Sequence, residues 1–212
     1  MDESTLRGIV TEVLTRALTE GREKNIIPVE VSGRHVHLSK KDAEALFGAG
    51  CQLTPKRDLS QPGQYLCEER VTLLTSRGEF RNVAVLGPLR DHTQVELSLS
   101  DAQALGIDAP VRLSGDTKGT PGIYLLSEKG MVAAKESVIV AQNHIHMTPA
   151  DALRLGVRDG QFVRVRMNTP RHVTFDHVPV RVSPKFSLAM HIDFDEANAC
   201  GGRNGLTGTL IV

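Results

Sequence analysis

The stretch HVHLSKKDAEAL, from His35 to Leu46, matches HIHMTPADALRL, from His144 to Leu155, without a gap. His, His, Asp, Ala and Leu coincide at identical offsets. Each copy reads as a strand carrying His-x-His, followed by a short helix. The helix starts are written in the side chains: Ser39-x-x-Asp42 in the first copy, Thr148-x-x-Asp151 in the second, and the same device again at Ser98-x-x-Asp101. A hydroxyl at the helix start accepts a backbone N–H, and an acid three residues on sits at the positive end of the helix. Pro149 falls in the first turn, where proline is tolerated. A duplication spaced this widely predicts two related halves, not a solenoid of short units.

Outward from the repeat the chain is strand-like. PVEVS, RVTLLT, NVAVLG, TQVELSLS, VRLSG, GIYLLS, SVIVAQ, QFVRVRM and VPVRVS are short runs rich in Val, Ile and Leu, punctuated by Gly, Pro, Asp and Asn. The fold expected is mainly β: two pseudo-symmetric small β-barrel domains capped by short α-helices. The first domain is expected to take residues 25–34 with 142–212, the second residues 35–141, with the active site between them. Residues 1–24 differ. Leu6, Ile9, Val10, Val13, Leu14, Ala17 and Leu18 recur at helical spacing between polar residues, which predicts an N-terminal amphipathic helix followed by a linker. Such a helix either packs on its own domain or docks on a partner. It lacks the basic start and continuous apolar core of a secretory signal.

Composition narrows the function. The chain has 212 residues, 40% hydrophobic and 24% charged, as in a soluble globular protein. Lys+Arg and Asp+Glu balance at 25 each, without the basic excess of a nucleic-acid binder. No apolar run approaches the roughly 20 residues that cross a membrane. Cys51, Cys67 and Cys200 form no CxxC, so neither a disulfide framework nor a thiolate zinc finger is expected, and the three read as small buried apolar residues. P-loop, Rossmann and GxSxG motifs are absent from the sequence.

The histidines carry the chemistry. On a strand, residues i and i+2 face the same side, roughly 6.6 Å apart. His35 with His37, and His144 with His146, can therefore each converge on one divalent ion, for which neutral imidazole nitrogen suits zinc. One His-x-His is a weak signal; two at matching places in a repeat point to two metal half-sites facing each other. Each needs a further ligand, and His191, Glu96, Asp193, Asp195 and Glu196 are the candidates. A polar strand residue such as Glu96 is more often solvated, and the acids after His191 read as the opening of a helix. Arg90, after a strand and a Gly-Pro turn, is either a surface arginine or a guanidinium for a phosphate or carboxylate. His92, His172 and His177 read as ordinary surface or barrel residues.

VEVSGRHVHLS, LTPKRDLSQPGQY, VLGPLRDHTQVELS, LSGDTKGTPG, VIVAQNHIHMTPADA, VRDGQFVRVR and MHIDFDEANACG together resemble phosphate propanoyltransferase, the PduL-type phosphotransacylase family of bacterial microcompartments. The resemblance runs in order from about Pro28 to the C-terminus. It implies paired barrels with two zinc ions between the halves, one held by His35, His37 and Glu96, the other by His144, His146 and His191. It implies phosphate binding by Arg90. It implies contacts to coenzyme A from Val31, Ser32, Gly33, Arg77 and Asn198. Where relatives read VRVLGP this chain reads VAVLGP, placing Ala84 at a coenzyme A contact. The activity implied is transfer of a propanoyl or acetyl group between coenzyme A and inorganic phosphate, by direct attack, since no activated Ser or Cys is evident. The alternatives are a binuclear zinc hydrolase of esters or phosphates and a structural zinc protein of a shell. The resemblance further implies a homo-oligomer in the bacterial cytoplasm, inside a microcompartment, addressed to shell or lumen proteins by its N-terminal helix, with no nucleic-acid or membrane partner.

Overall fold

A computed structural model of the chain describes Arg7, residues 25–202 and residues 205–212. The expected N-terminal helix, Arg7 apart, lies outside these residues. The described chain is mainly β. Six strands close into a barrel, in the order β1 (Ile26–Ser32), β14 (Ala189–Asp193), β11 (His144–Met147), β13 (Thr174–Val182), β12 (Phe162–Met167) and β15 (Thr207–Ile211). The other half is a nine-stranded curled sheet: β7 (Val111–Arg112), β10 (Val138–Ala141), β6 (Gln94–Leu97), β2 (His35–His37), β5 (Glu79–Gly87), β4 (Tyr65–Leu74), β8 (Ile123–Leu126) and β9 (Met131–Ala134), with β3 (Pro55–Asp58) paired to β4. This sheet stays open. Its edge strand β7 is only two residues long and β9 packs against helix α1 (Lys40–Phe47), so the two edges are blunted and do not meet.

Each sheet has its own core. Val36, Leu38, Leu73, Val85, Val95 and Leu125 pack in the open sheet; Ile27, Ile145, Val165, Val180, Met190 and Leu210 pack in the barrel. The three hydroxyl caps are formed. Ser39, Ser98 and Thr148 accept the N–H of Asp42, Asp101 and Asp151, opening α1, α2 (Leu99–Leu105) and α3 (Pro149–Leu155). A fourth helix, α4 (Phe194–Ala199), is capped by Asp193, whose side chain accepts from the N–H of Glu196.

The chain crosses between the two sheets at Gly33–Arg34 and again at Gln142–Asn143, in opposite directions. Each crossing leads straight into a His-x-His strand. The residue just before each His-x-His grips an acid in the first turn of a helix. Arg34 donates to Asp101 of α2 at 2.9 and 2.6 Å while its guanidinium lies 4.1 Å over the Phe80 ring. Asn143 donates to Glu196 of α4 at 2.5 Å. The duplication therefore extends past the twelve aligned residues into strand β6–α2 and strand β14–α4.

Candidate metal centre

Each His-x-His strand lies between one parallel and one antiparallel neighbour. β2 pairs β5 in parallel and β6 antiparallel; β11 pairs β13 in parallel and β14 antiparallel. Directly paired residues in adjacent strands face the same side. The register sets His35 opposite Glu96 and His144 opposite His191. Glu96 and His191 thus occupy equivalent places in the two halves. The ligand atoms of His35, His37 and Glu96 all lie within 4.8 Å of one another, as do those of His144, His146 and His191.

The other candidate acids do not join these groups. Asp193 caps α4, Asp195 accepts the N–H of Ser100 at 2.8 Å, and Glu196 completes the capping box. They open a helix, as their spacing in the sequence predicts. Glu96 is buried, 9% exposed, and is not on a solvated face.

Hydrogen bonds set the histidine tautomers. His35 Nδ1 donates to the Gly33 carbonyl at 2.8 Å and His144 Nδ1 to the Gln142 carbonyl at 2.9 Å. A carbonyl only accepts, so Nδ1 carries the proton and Nε2 keeps a free lone pair. Both carbonyls belong to the crossings between the sheets, so the crossing itself orients the first histidine of each pair. His191 Nδ1 faces Glu30 at 3.7 Å. Among the described residues, the buried side-chain nitrogens and oxygens without a partner are His37 Nδ1, both ring nitrogens of His146, and His191 Nε2. Buried unpaired polar atoms cost about 1–3 kcal/mol each, and a cluster of them calls for a ligand. Three-donor sets of imidazole and carboxylate fit zinc and leave a coordination position open.

The electrostatics favour neutral imidazole. Burial, with the charge on His35, pushes His37 down to about 3. Burial, with His144 and His191, takes His146 to about 3, and burial takes His191 to about 4 and lowers His144. Metal ligation needs these rings unprotonated. Burial works against the charged forms of His35 and Glu96 too, but their mutual attraction wins: His35 is raised, and Glu96 is held well below the usual carboxylate range. A consequence for the metal-free protein is acid lability. The unfolded chain protonates its histidines near 6.5, while folded His37 and His146 resist to about 3 and His191 to about 4. Between those values the unfolded state binds more protons, so stability falls as pH drops from 6.5 towards 3. The raised pKa of His35 opposes this, one ring against four. Urea midpoints of chelated protein should therefore be lower at pH 4.5 than at pH 7; equal midpoints would show that these rings are not held neutral.

Both clusters line one cavity of about 760 Å³, together with Val31, Ser32, Gly33 and Ala84. Gly33 is packed so closely that a Cβ there would lie 2.8 Å from the Phe194 ring. Arg77 and Asn198 do not line this cavity. Arg90 does. Its backbone N–H donates to Leu38 at 2.9 Å, its Nη2 to His37 Nε2 at 2.9 Å, and its Nη1 to Ser114 Oγ at 3.1 Å. Its pKa is lowered by burial, opposed by Glu96. The cavity also holds groups that the sequence did not single out. Arg181 on β13 is paired in register with His146. Its guanidinium lies 6.0 Å from the Phe186 ring, and Phe186 stacks on His146 at 4.1 Å. In VPVRVS an alternating arginine reads as a solvated strand residue; only the register reveals it beside His146. Exposed Arg57 lines the cavity as well.

A family model described as phosphate propanoyltransferase matches residues 28–203. The chain is 51% identical over 211 residues to the phosphate propanoyltransferase of Listeria monocytogenes, covering 100% of this chain and 97% of that one. It is 49% identical to that of Enterococcus faecalis, covering 98% and 97%, and 52% identical to that of Citrobacter rodentium, covering 95% and 93%. With its duplicated histidine clusters and a family match spanning most of its length, the chain belongs to the phosphate propanoyltransferase family, a family of acyltransferases.

Proposed function

We propose that this protein moves a short acyl group between coenzyme A and inorganic phosphate, with one zinc ion held by His35, His37 and Glu96 and a second by His144, His146 and His191. The observation that carries this reading is the pair of three-donor clusters, matched in register, that open on one cavity beside two arginines. When bound, the two ions would supply Lewis acidity towards phosphate and carbonyl oxygen. The residues supply the rest. Arg90 and Arg181 hold and orient phosphate with fork-shaped charge. Val31, Ser32 and Gly33 offer coenzyme A an approach along the cavity wall, and Arg57 supplies positive charge where Ala84 cannot. Contacts from Arg77 and Asn198 rest on the resemblance alone. A phosphate oxygen attacks the thioester carbonyl, a tetrahedral adduct forms, the C–S bond breaks, and coenzyme A leaves as thiolate with acyl phosphate as product. The same geometry serves the reverse transfer. In domain terms, residues 25–34 with 142–212 form one unit and 35–141 the other, the site between them.

Acyl-phosphate formation from acetyl-CoA and propanoyl-CoA, with and without a chelator, tests the proposal. Thioester loss that does not need phosphate would make the protein a hydrolase. Retained zinc with no turnover would leave a structural role in a shell.

Residues 1–24 serve as an address into a microcompartment lumen, and their apolar stripe supports homo-oligomers. Deleting them is expected to leave specific activity intact, lower oligomer size and abolish co-assembly with shell proteins. A truncated protein that unfolds or loses zinc would show that the segment packs as core.

A further inference from the structure

The carboxylate of Glu96 is not free to turn. Gln94 Nε2 donates to Glu96 Oε1 at 2.6 Å, and Ser114 Oγ donates to the same oxygen at 2.9 Å. Gln94 Nε2 also donates to Ser114 Oγ at 2.8 Å, while Gln94 Oε1 accepts the backbone N–H of Gly115 at 2.7 Å. That last bond decides which way the amide points. A backbone N–H can only donate, so the amide oxygen faces Gly115 and the nitrogen faces Glu96. Ser114 has one hydroxyl proton and two lone pairs. The proton goes to Glu96; the lone pairs accept from Gln94 and from Arg90 Nη1. With Oε1 occupied by two donors, Oε2 is the oxygen left facing His35 Nε2, at 3.3 Å. Gln94 is 2% exposed, so its amide is shielded from water.

Among the described residues the third ligand of the second cluster takes no hydrogen bond: His191 Nδ1 lies 3.7 Å from Glu30, which accepts from Ser60 Oγ at 2.5 Å. The ring of His191 is rigid and presents one nitrogen in one direction. A carboxylate can rotate, and can switch between one and two coordinating oxygens, so its orientation has to be imposed from outside.

We propose that Gln94 and Ser114 are positioning residues that hold Glu96 in its ligating orientation, and that the Ser114 hydroxyl couples this acid to the phosphate-binding arm of Arg90. The proposal rests on the reading of the first cluster as a zinc site. It predicts that one small substitution disturbs two separate properties at once.

The test uses full-length protein, equilibrium zinc competition against a chromophoric chelator, and steady-state kinetics on both substrates. In Ser114→Ala, one of the two zinc ions should bind about 10–100-fold more weakly, the other unchanged. The KM for phosphate should rise about tenfold as Arg90 loses its acceptor, with the KM for acyl-CoA unchanged. Ser114→Thr keeps the hydroxyl and should restore both properties. Gln94→Met should weaken the same zinc ion with a smaller effect on phosphate. Thermal melts of the chelated variants should match chelated wild type, separating positioning from folding. Wild-type affinity and phosphate KM in Ser114→Ala, or equal behaviour of the Ala and Thr variants, would overturn the proposal alone. Wild-type protein that binds fewer than two zinc ions would overturn the zinc reading beneath it.

Discussion

Replacing His144 and His146 together by alanine is expected to remove one of two zinc ions and to lower acyl transfer roughly a thousandfold. The two rings lie 4.6 Å apart and sit 5.2 and 5.0 Å from His191, so the change deletes two of three donors at one site. One imidazole does not hold a divalent ion against water. A Lewis acid at a reacting oxygen is worth several kcal/mol, and each 1.36 kcal/mol is tenfold in rate. The fold should survive, because both side chains face the cavity while Ile145 between them stays buried in the barrel core. Elemental analysis should fall from two zinc ions to one per chain. A wild-type stoichiometry near one that the double substitution leaves unchanged would end the two-site reading.

Arg90→Ala is expected to cost about ten- to a hundredfold in phosphate use, from the loss of a charge-assisted contact worth about 1.5–3 kcal/mol. Arg181→Ala should fall in the same range. The two differ in their surroundings. Arg90 is tied to His37 and Ser114, so its removal also loosens the first cluster. The Arg181 guanidinium makes no hydrogen bond or ion pair among the described residues, so its removal should leave zinc binding untouched. Lysine at either place should restore little, because a point charge cannot replace the two-pronged guanidinium. Unchanged phosphate saturation and rate in Arg90→Ala would return it to the status of an ordinary surface arginine; the same result in Arg181→Ala would take it out of the phosphate site.

Much of the site could be read from the chain. The two His-x-His pairs, the hydroxyl caps and the acids that open α4 stand where their spacing puts them, because each depends on contacts within a few residues. Glu96 and His191 were two candidates among five. Nothing local separates Glu96 from a solvated strand residue; what does is its register with His35, set by the antiparallel pairing of β2 and β6. The sequence assigns no role to Arg181, Gln94 or Ser114 for the same cause. Each sits on a strand or turn whose polar residues look ordinary until a neighbour from a distant part of the chain is laid beside it.

The mainly β character and the duplication follow from short-range physics: strand alternation, turn residues and N-caps are satisfied within one element, so residue order is enough to reveal them. Closure of one sheet and not the other does not follow. The barrel closes because β1, from the start of the described chain, pairs with both β14 and β15 near its end. In the other half the edges are a two-residue strand and a strand backed by a helix, which have no partner for closure. The pair of three-donor clusters is likewise a product of long-range pairing. Burial lowers four histidines and orphans ring nitrogens only once two strands from each half are brought side by side, and desolvation is a property of the folded surroundings that no residue carries by itself.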